Sequence, residues 1–153
     1  MKEYEKFMLE AIKEAKKAQA EAEVPIGAVV VRDGVVIARA HNQKNKQSNT
    51  LKHAELVAIE KAMKKLNDWH LNNCDLFVTL EPCPMCAGAC INARINSVVF
   101  GAFDPKAGCC GTLYNLCEDK RFNHRPKVVG GVCEEECASL LSDFFKSIRR
   151  GAK

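Results

Sequence analysis

Two short stretches of this 153-residue chain combine side chains suited to metal-assisted hydrolysis: His53-Ala54-Glu55 and Pro82-Cys83-Pro84-Met85-Cys86. Cys83 and Cys86 are three residues apart, and on a helix residues at that spacing share one face. Pro84 suits the first helical position, where a missing N–H costs nothing. Thiols at such a helix start lie at the positive end of the macrodipole, which favours thiolates and a soft or borderline metal. The His53 imidazole and two thiolates make three protein ligands, whereas zinc prefers four. A position left to water marks a catalytic ion, and a fourth protein ligand marks a structural one. His53 and Glu55 reach one centre only in the first turn of a helix, because mid-helix residues two apart diverge by about 200°. So placed, Glu55 takes a proton from a water whose pKa zinc lowers toward about 7, and passes it to a ring nitrogen and a departing amine. On its own a Cys-x-x-Cys reads as a structural or redox site. The upstream His-x-Glu, with 27 residues separating Glu55 from Cys83, turns the reading toward hydrolysis.

Periodicity supplies the elements that must hold these groups. Tyr4, Phe7, Met8, Ala11, Ile12, Ala15 and Ala18 recur at steps of three and four, which predicts a helix over 4–20 ended by Pro25. Runs at 26–31 and 35–38 flank Asp33-Gly34 and predict a hairpin. After a polar stretch over 42–50, Ala54, Val57, Ala58, Ile59, Ala62, Met63 and Leu66 predict a second helix. The apolar run 76–80 has the look of a central strand covered on both faces, stopped by Pro82. A third helix is expected over 84–93, a buried strand over 97–101, and irregular structure with one helical turn over 104–125. A last strand over 127–131 and a helix over 134–150, striped by Leu140, Leu141, Phe144, Phe145 and Ile148, complete the series. Strands alternating with helices in this way imply α/β architecture, a mixed sheet with helices on both faces.

With 47% hydrophobic and 27% charged residues, the expectation is a single domain over 1–153 with a core of about 4–149. No stretch nears the roughly 20 apolar residues of a membrane helix. The first residues carry both signs of charge without an export signal, so a cytoplasmic protein is expected. In a reducing compartment the nine cysteines read as ligands or core thiols rather than a disulfide framework. The formal charge of +4 admits a polyanionic partner without demanding one. Lys106, Lys120, Arg121, Arg125, Lys127, Lys146, Arg149 and Arg150 concentrate in the last third, where they suit phosphates or a solvated face equally.

His-x-Glu followed by Pro-Cys-x-x-Cys is the described signature of the zinc nucleobase deaminases, which this chain therefore resembles. Over about 4–149 it is similar more narrowly to the bacterial tRNA adenosine deaminases. The resemblance rests on Val24-Pro25-Ile26-Gly27-Ala28, His53-Ala54-Glu55, the run from Thr79 to Ala89, Val98-Val99-Phe100-Gly101-Ala102, Asn123-His124-Arg125, and the run from Glu136 to Phe145. The first three blocks are shared with guanine and other base deaminases.

The resemblance implies a cytidine deaminase-like three-layer α/β/α fold with a five-stranded mixed sheet. It implies one Zn2+ per subunit on His53, Cys83 and Cys86, with water or hydroxide as fourth ligand and Glu55 as general acid and base. Asn42 would hydrogen-bond the adenine, Val24, Pro25 and Ile26 would wall its pocket, and the backbone near Leu80 and Glu81 would line it. Asp104 would meet a ribose hydroxyl, and Phe145 would pack near flanking bases. The implied reaction is adenosine to inosine at wobble position 34, the partner a tRNA anticodon stem-loop, by family an arginine tRNA, and the assembly a homodimer. The alternative is a guanine or other free-base or nucleoside deaminase with the same zinc site; a zinc scaffold without activity has no need of Glu55. Cys109-Cys110 departs from the small apolar residues usual there and suggests redox sensitivity, Ile148 replaces an expected basic residue, and Cys90, Cys117, Cys133 and Cys137 have no assigned role.

Overall fold

Successive side chains of a strand point to opposite faces of its sheet, and here both sets are apolar. Leu76, Val78, Val98 and Phe100 belong to one buried cluster, Phe77 and Val99 to another. Both faces must therefore be covered, and the computed structural model, which describes residues 2–151, has helices on each. Residues 1, 152 and 153, and with them the outer limits of the expected domain, lie outside the described residues.

The elements are α1 (Lys2–Ala20), β1 (Gly27–Arg32), β2 (Val35–His41), α2 (Ala54–Leu66), β3 (Cys74–Leu80), α3 (Pro84–Asn92), β4 (Ser97–Ala102), β5 (Lys127–Val129) and α4 (Glu134–Gly151), with a 3-10 turn at Leu116–Glu118. The sheet order is β2-β1-β3-β4-β5. β1 runs antiparallel to β2 and β3, while β3, β4 and β5 are parallel. α2 and α3 pack on one face, α1 and α4 on the other. This is the expected three-layer α/β/α fold with a mixed five-stranded sheet. No helix among the described residues is long and apolar enough to cross a membrane.

The topology decides where the chemistry sits. β2, β3 and β4 all run in one direction, so their C-terminal ends share one edge of the sheet. The segment before β1 returns to the same edge, because Gly27 pairs with His41 and its N–H donates to Thr79 Oγ1 at 3.2 Å. Residues 24–26, 42–53, 80–83 and 103–112 therefore converge there. Ligand sites of open α/β sheets form beyond the carboxyl ends of the strands.

Several boundaries differ from the sequence expectation. α1 begins at Lys2, two residues before the expected start, and ends at Ala20 as expected, though closure of the chain rather than Pro25 ends it: Ala22 takes a left-handed φ of 61° and the Glu23 N–H donates to the Ala18 carbonyl at 2.9 Å. β2 continues to His41 because β1 pairs with it along its whole length. The hairpin turn is as expected, with Asp33 and Gly34 at φ 52° and 76°. The stripe of α4 is only partly buried: Phe144 is covered, and every described residue beyond it is exposed, including Phe145 and Ile148.

α1 lies on β1 at Gly27, where a Cβ would collide with the Ala11 carbonyl and the Ala15 nitrogen, both backbone. Gly27→Ala is expected to destabilise the fold by about 1–3 kcal/mol through this overpacking. Urea unfolding checks it: the midpoint should fall with an unchanged slope.

Candidate active site

Two helix starts supply the reactive groups. His53 is the N-cap of α2, extended at φ −73° and ψ 150°, and its carbonyl accepts the Val57 N–H at 3.1 Å. Glu55 follows in the first turn and is buried. Cys83 is the N-cap of α3 at φ −74° and ψ 175°, with Pro84 opening the helix and Cys86 one turn in, fully buried. The loop before α2 is closed by Gln43 N–H donating to the Lys52 carbonyl at 2.9 Å, which sets Asn42 and His53 side by side at its mouth. Beneath it the buried Glu23 carboxylate accepts the N–H groups of Asn45, at 3.0 Å, and Lys46.

His53 Nδ1 lies 3.7 Å from Cys83 Sγ and 3.6 Å from Cys86 Sγ, and all three donor atoms fall within 4.8 Å of one another. Thiolate bonds near 2.3 Å and an imidazole bond near 2.0 Å around a tetrahedral ion would separate sulfur from nitrogen by about 3.6 Å. The three donors thus have the spacing and the softness for an ion of zinc's kind. They are the one such group among the described residues.

The charge pattern fits that use. Hydrogen bonds from Cys86 and from His53 outweigh burial and bring the Cys83 thiol down to about 4. Cys86 is pushed up by the bond it gives Cys83 and by burial, so the pair shares its first negative charge on Cys83. The bond to Cys83 also raises His53. Burial pushes the Glu55 carboxyl up to about 7, against the pull of its own backbone N–H and of His53. A carboxyl poised near neutrality suits proton transfer in both directions.

At the same edge of the sheet a groove of about 320 Å³ is lined by Val24, Leu80, Phe103, Asp104, Lys106 and Phe145, among others. Four residues expected to touch substrate, Val24, Leu80, Asp104 and Phe145, therefore meet in one depression. The rest sit elsewhere. Pro25 is buried and Ile26 packs against the core. Asn42 is buried, with its N–H on the Ile26 carbonyl at 3.0 Å and its side-chain amide in none of the hydrogen bonds among the described residues. Asp104 turns Oδ1 back on the N–H groups of Lys106, at 2.9 Å, and Ala107, at 3.2 Å. The Glu81 carboxylate points into the loop 103–112. His124 Nε2 donates to the Ile95 carbonyl at 2.7 Å, as befits a loop histidine held by backbone. All nine cysteines are free, and Cys110 approaches Cys117, at 4.0 Å, rather than its sequence neighbour Cys109.

Over 153 residues the sequence is 55% identical to the tRNA-specific adenosine deaminase of Bacillus subtilis strain 168, spanning all of this chain and 95% of that one. The chain belongs to the tRNA-specific adenosine deaminase family. Consistent with that membership, the family description of MafB19-like deaminases matches residues 2–149. A solved structure from studies of A-to-I editing by tRNA:A34 deaminases at the wobble position is similar at a TM-score of 0.85 and 42% identity, covering 88% of this chain and 98% of that one. The guanine deaminase of Bacillus subtilis is similar over less, 65% of this chain and 64% of its own, with a TM-score of 0.63 and 39% identity. The family's deaminase chemistry is consistent with the one cluster of metal-type donors among the described residues.

Sequence reasoning passed over Phe103, Thr112 and Glu23, and named Lys106 only among basic residues suited to phosphates or a solvated face. Glu23 carried a usable signal, a charged residue just ahead of the apolar strand run, whereas the others depend on how distant loops meet. Loading the protein with Co2+ is expected to give thiolate-to-metal absorption, and Cys83→Ser should reduce its intensity to roughly half by removing one of two sulfurs. Optical titration checks both.

Proposed function

We propose that this chain is a zinc hydrolase that converts adenosine to inosine at wobble position 34 of a tRNA anticodon and releases ammonia. The observation that carries the reading is an open set of three donors, His53 Nδ1 and the sulfurs of Cys83 and Cys86, beside the buried carboxyl of Glu55. The fullness of the likeness to an A34 tRNA deaminase structure, compared with the partial match to a guanine deaminase, supports tRNA over a free base.

In this reading His53, Cys83 and Cys86 hold one Zn2+ per subunit and leave its fourth position to water. Bound there, zinc supplies the Lewis acidity that makes water a nucleophile near neutral pH. Glu55 accepts the proton of that water and gives it to a ring nitrogen of the adenine. As the oxygen of that water bonds to the ring carbon, the carboxylate takes its remaining proton and passes it to the exocyclic amine, which departs as ammonia when the C–N bond breaks. Water is consumed, and the carboxyl ends the cycle as it began. Asn42, at the mouth beside His53, has an amide suited to the polar edge of the base. Val24, Pro25 and Ile26 and the backbone at Leu80 and Glu81 wall the pocket. The groove takes the flanking nucleotides, with Asp104 at a ribose hydroxyl, a contact that distinguishes RNA from DNA, and the exposed ring of Phe145 available for stacking on a base.

A base reaches such a site only from a single-stranded region or after extrusion, and an anticodon loop offers one cheaply. The partner is therefore an anticodon stem-loop, by family that of an arginine tRNA. A single deaminase domain over 1–153, acting as a homodimer in the cytoplasm, completes the proposal.

Purified, zinc-loaded protein is offered an arginine-tRNA anticodon stem-loop with wobble adenosine, alongside free adenosine, cytidine and guanine. Inosine should form in the stem-loop alone. Glu55→Ala should lower its rate by about 10²–10⁴-fold with the zinc still bound. Turnover of a free base and none of the RNA would assign the chain to the small-molecule deaminases.

A further inference from the structure

A carboxylate in a protein interior is costly unless it is paired or fully hydrogen-bonded. Glu81 is buried, one residue past the end of β3, with its backbone N–H on the Ala102 carbonyl at 2.8 Å. No cation faces it among the described residues. Its partners are instead donors from one loop. Oε1 accepts from the Asp104 N–H at 3.0 Å and from the Thr112 hydroxyl. Oε2 accepts from the N–H of Cys110 at 3.1 Å and of Thr112 at 2.9 Å.

These donors come from both ends of the segment 104–112, so the loop is wrapped around the carboxylate. Gly108 lies against it so closely that a Cβ would collide with the Glu81 carboxyl and the Asp104 carbonyl. The segment has no strand or helix of its own apart from one isolated bridge, Cys110 to Asn115. Three of its eight backbone N–H groups, those of Asp104, Cys110 and Thr112, donate to this one side chain, and those of Lys106 and Ala107 donate to the Asp104 carboxylate it positions. The same segment carries Asp104 and Lys106 into the groove. A separate link, Cys109 N–H to the Pro82 carbonyl at 2.9 Å, ties it to the start of α3.

We propose that Glu81 is a positioning residue for the nucleic acid: its carboxylate fixes the 104–112 loop in the shape that presents Asp104 and Lys106 to the anticodon strand. The proposal rests on the reading of the groove as the seat of that strand. The Glu81 carboxylate, unlike the backbone of that residue, touches neither the base nor the reacting atoms and acts through the loop. Substitution should therefore raise KM for the stem-loop more than it lowers kcat.

Steady-state kinetics on the anticodon stem-loop, with zinc content measured in parallel, compares the wild type with Thr112→Ala, Thr112→Ser and Glu81→Gln. Thr112→Ala should raise KM by about tenfold, the equivalent of one hydrogen bond, with kcat within about twofold and one zinc per chain. Thr112→Ser keeps the hydroxyl donor and should stay within about twofold of the wild type. Glu81→Gln sets an amide NH2 against backbone N–H donors and should raise KM at least as far as Thr112→Ala. If that variant does not fold, the two Thr112 variants decide. Unchanged KM in the Thr112→Ala protein, or a loss of zinc and kcat at constant KM, would overturn the proposal, the latter by making the loop a support of Cys83 through Pro82. A wild type inactive on the stem-loop would overturn the functional reading and the proposal with it.

Discussion

Two sulfurs and an imidazole nitrogen must stand within 4.8 Å of one another although they belong to different helices. Thirty residues of chain separate His53 from Cys83, and neither helix has a reason of its own to bring its first turn to that point. The sheet imposes the meeting. β2 and β3 flank β1 and run in the same direction, so the segments that leave them emerge at one edge, and α2 and α3 both start there. The two clusters of apolar side chains fix that sheet between its helices. Hydrophobic burial thereby sets the distance between donors that would otherwise repel once ionised.

The same edge gathers five of the seven polar side chains buried among the described residues. Glu23, Asn42, Glu55, Thr79 and Glu81 lie at or next to it, in an interior that is otherwise nearly all apolar. Each has a distinct reason to be there. Glu23 and Glu81 accept backbone N–H groups from the two loops that frame the centre, 43–52 and 103–112. Thr79 accepts the first N–H of β1. Glu55 has no comparable anchoring partner, and its burial raises its proton affinity toward neutrality. A carboxyl left in that state is poorly explained by stability and well explained by proton transfer.

The reactive centre was legible because it needs only residue types, short spacings and helix starts. His53 and Glu55 had to occupy a first turn, and Pro84 announced another at Cys83. The layers were legible from the doubly apolar strand 76–80 and the hairpin from Asp33-Gly34. The substrate side was less so. That Glu81 directs its carboxylate into residues 104–112 follows from the pairing of Leu80 with Ala102, a register between strands far apart in sequence. The groove likewise assembles Val24, Leu80, Asp104 and Phe145 from four separate elements. The exposure of Phe145 and Ile148 was hidden in a stripe whose spacing is that of a buried helix face, since periodicity does not reveal where α4 outruns the core. Cys109-Cys110 suggested redox sensitivity by sequence, and the Cys110 sulfur lies 4.0 Å from that of Cys117, a neighbour the sequence did not reveal.

The central claim is that the fold offers a metal ion three protein donors and, among the described residues, no fourth. X-ray absorption at the zinc edge of the loaded protein measures this directly. Two sulfurs at about 2.3 Å with two lighter atoms at about 2.0–2.1 Å are predicted, one of the lighter atoms being exchangeable solvent. A shell of three or more sulfurs, with a further cysteine drawn in and no solvent, would make the site a closed structural one and contradict the account.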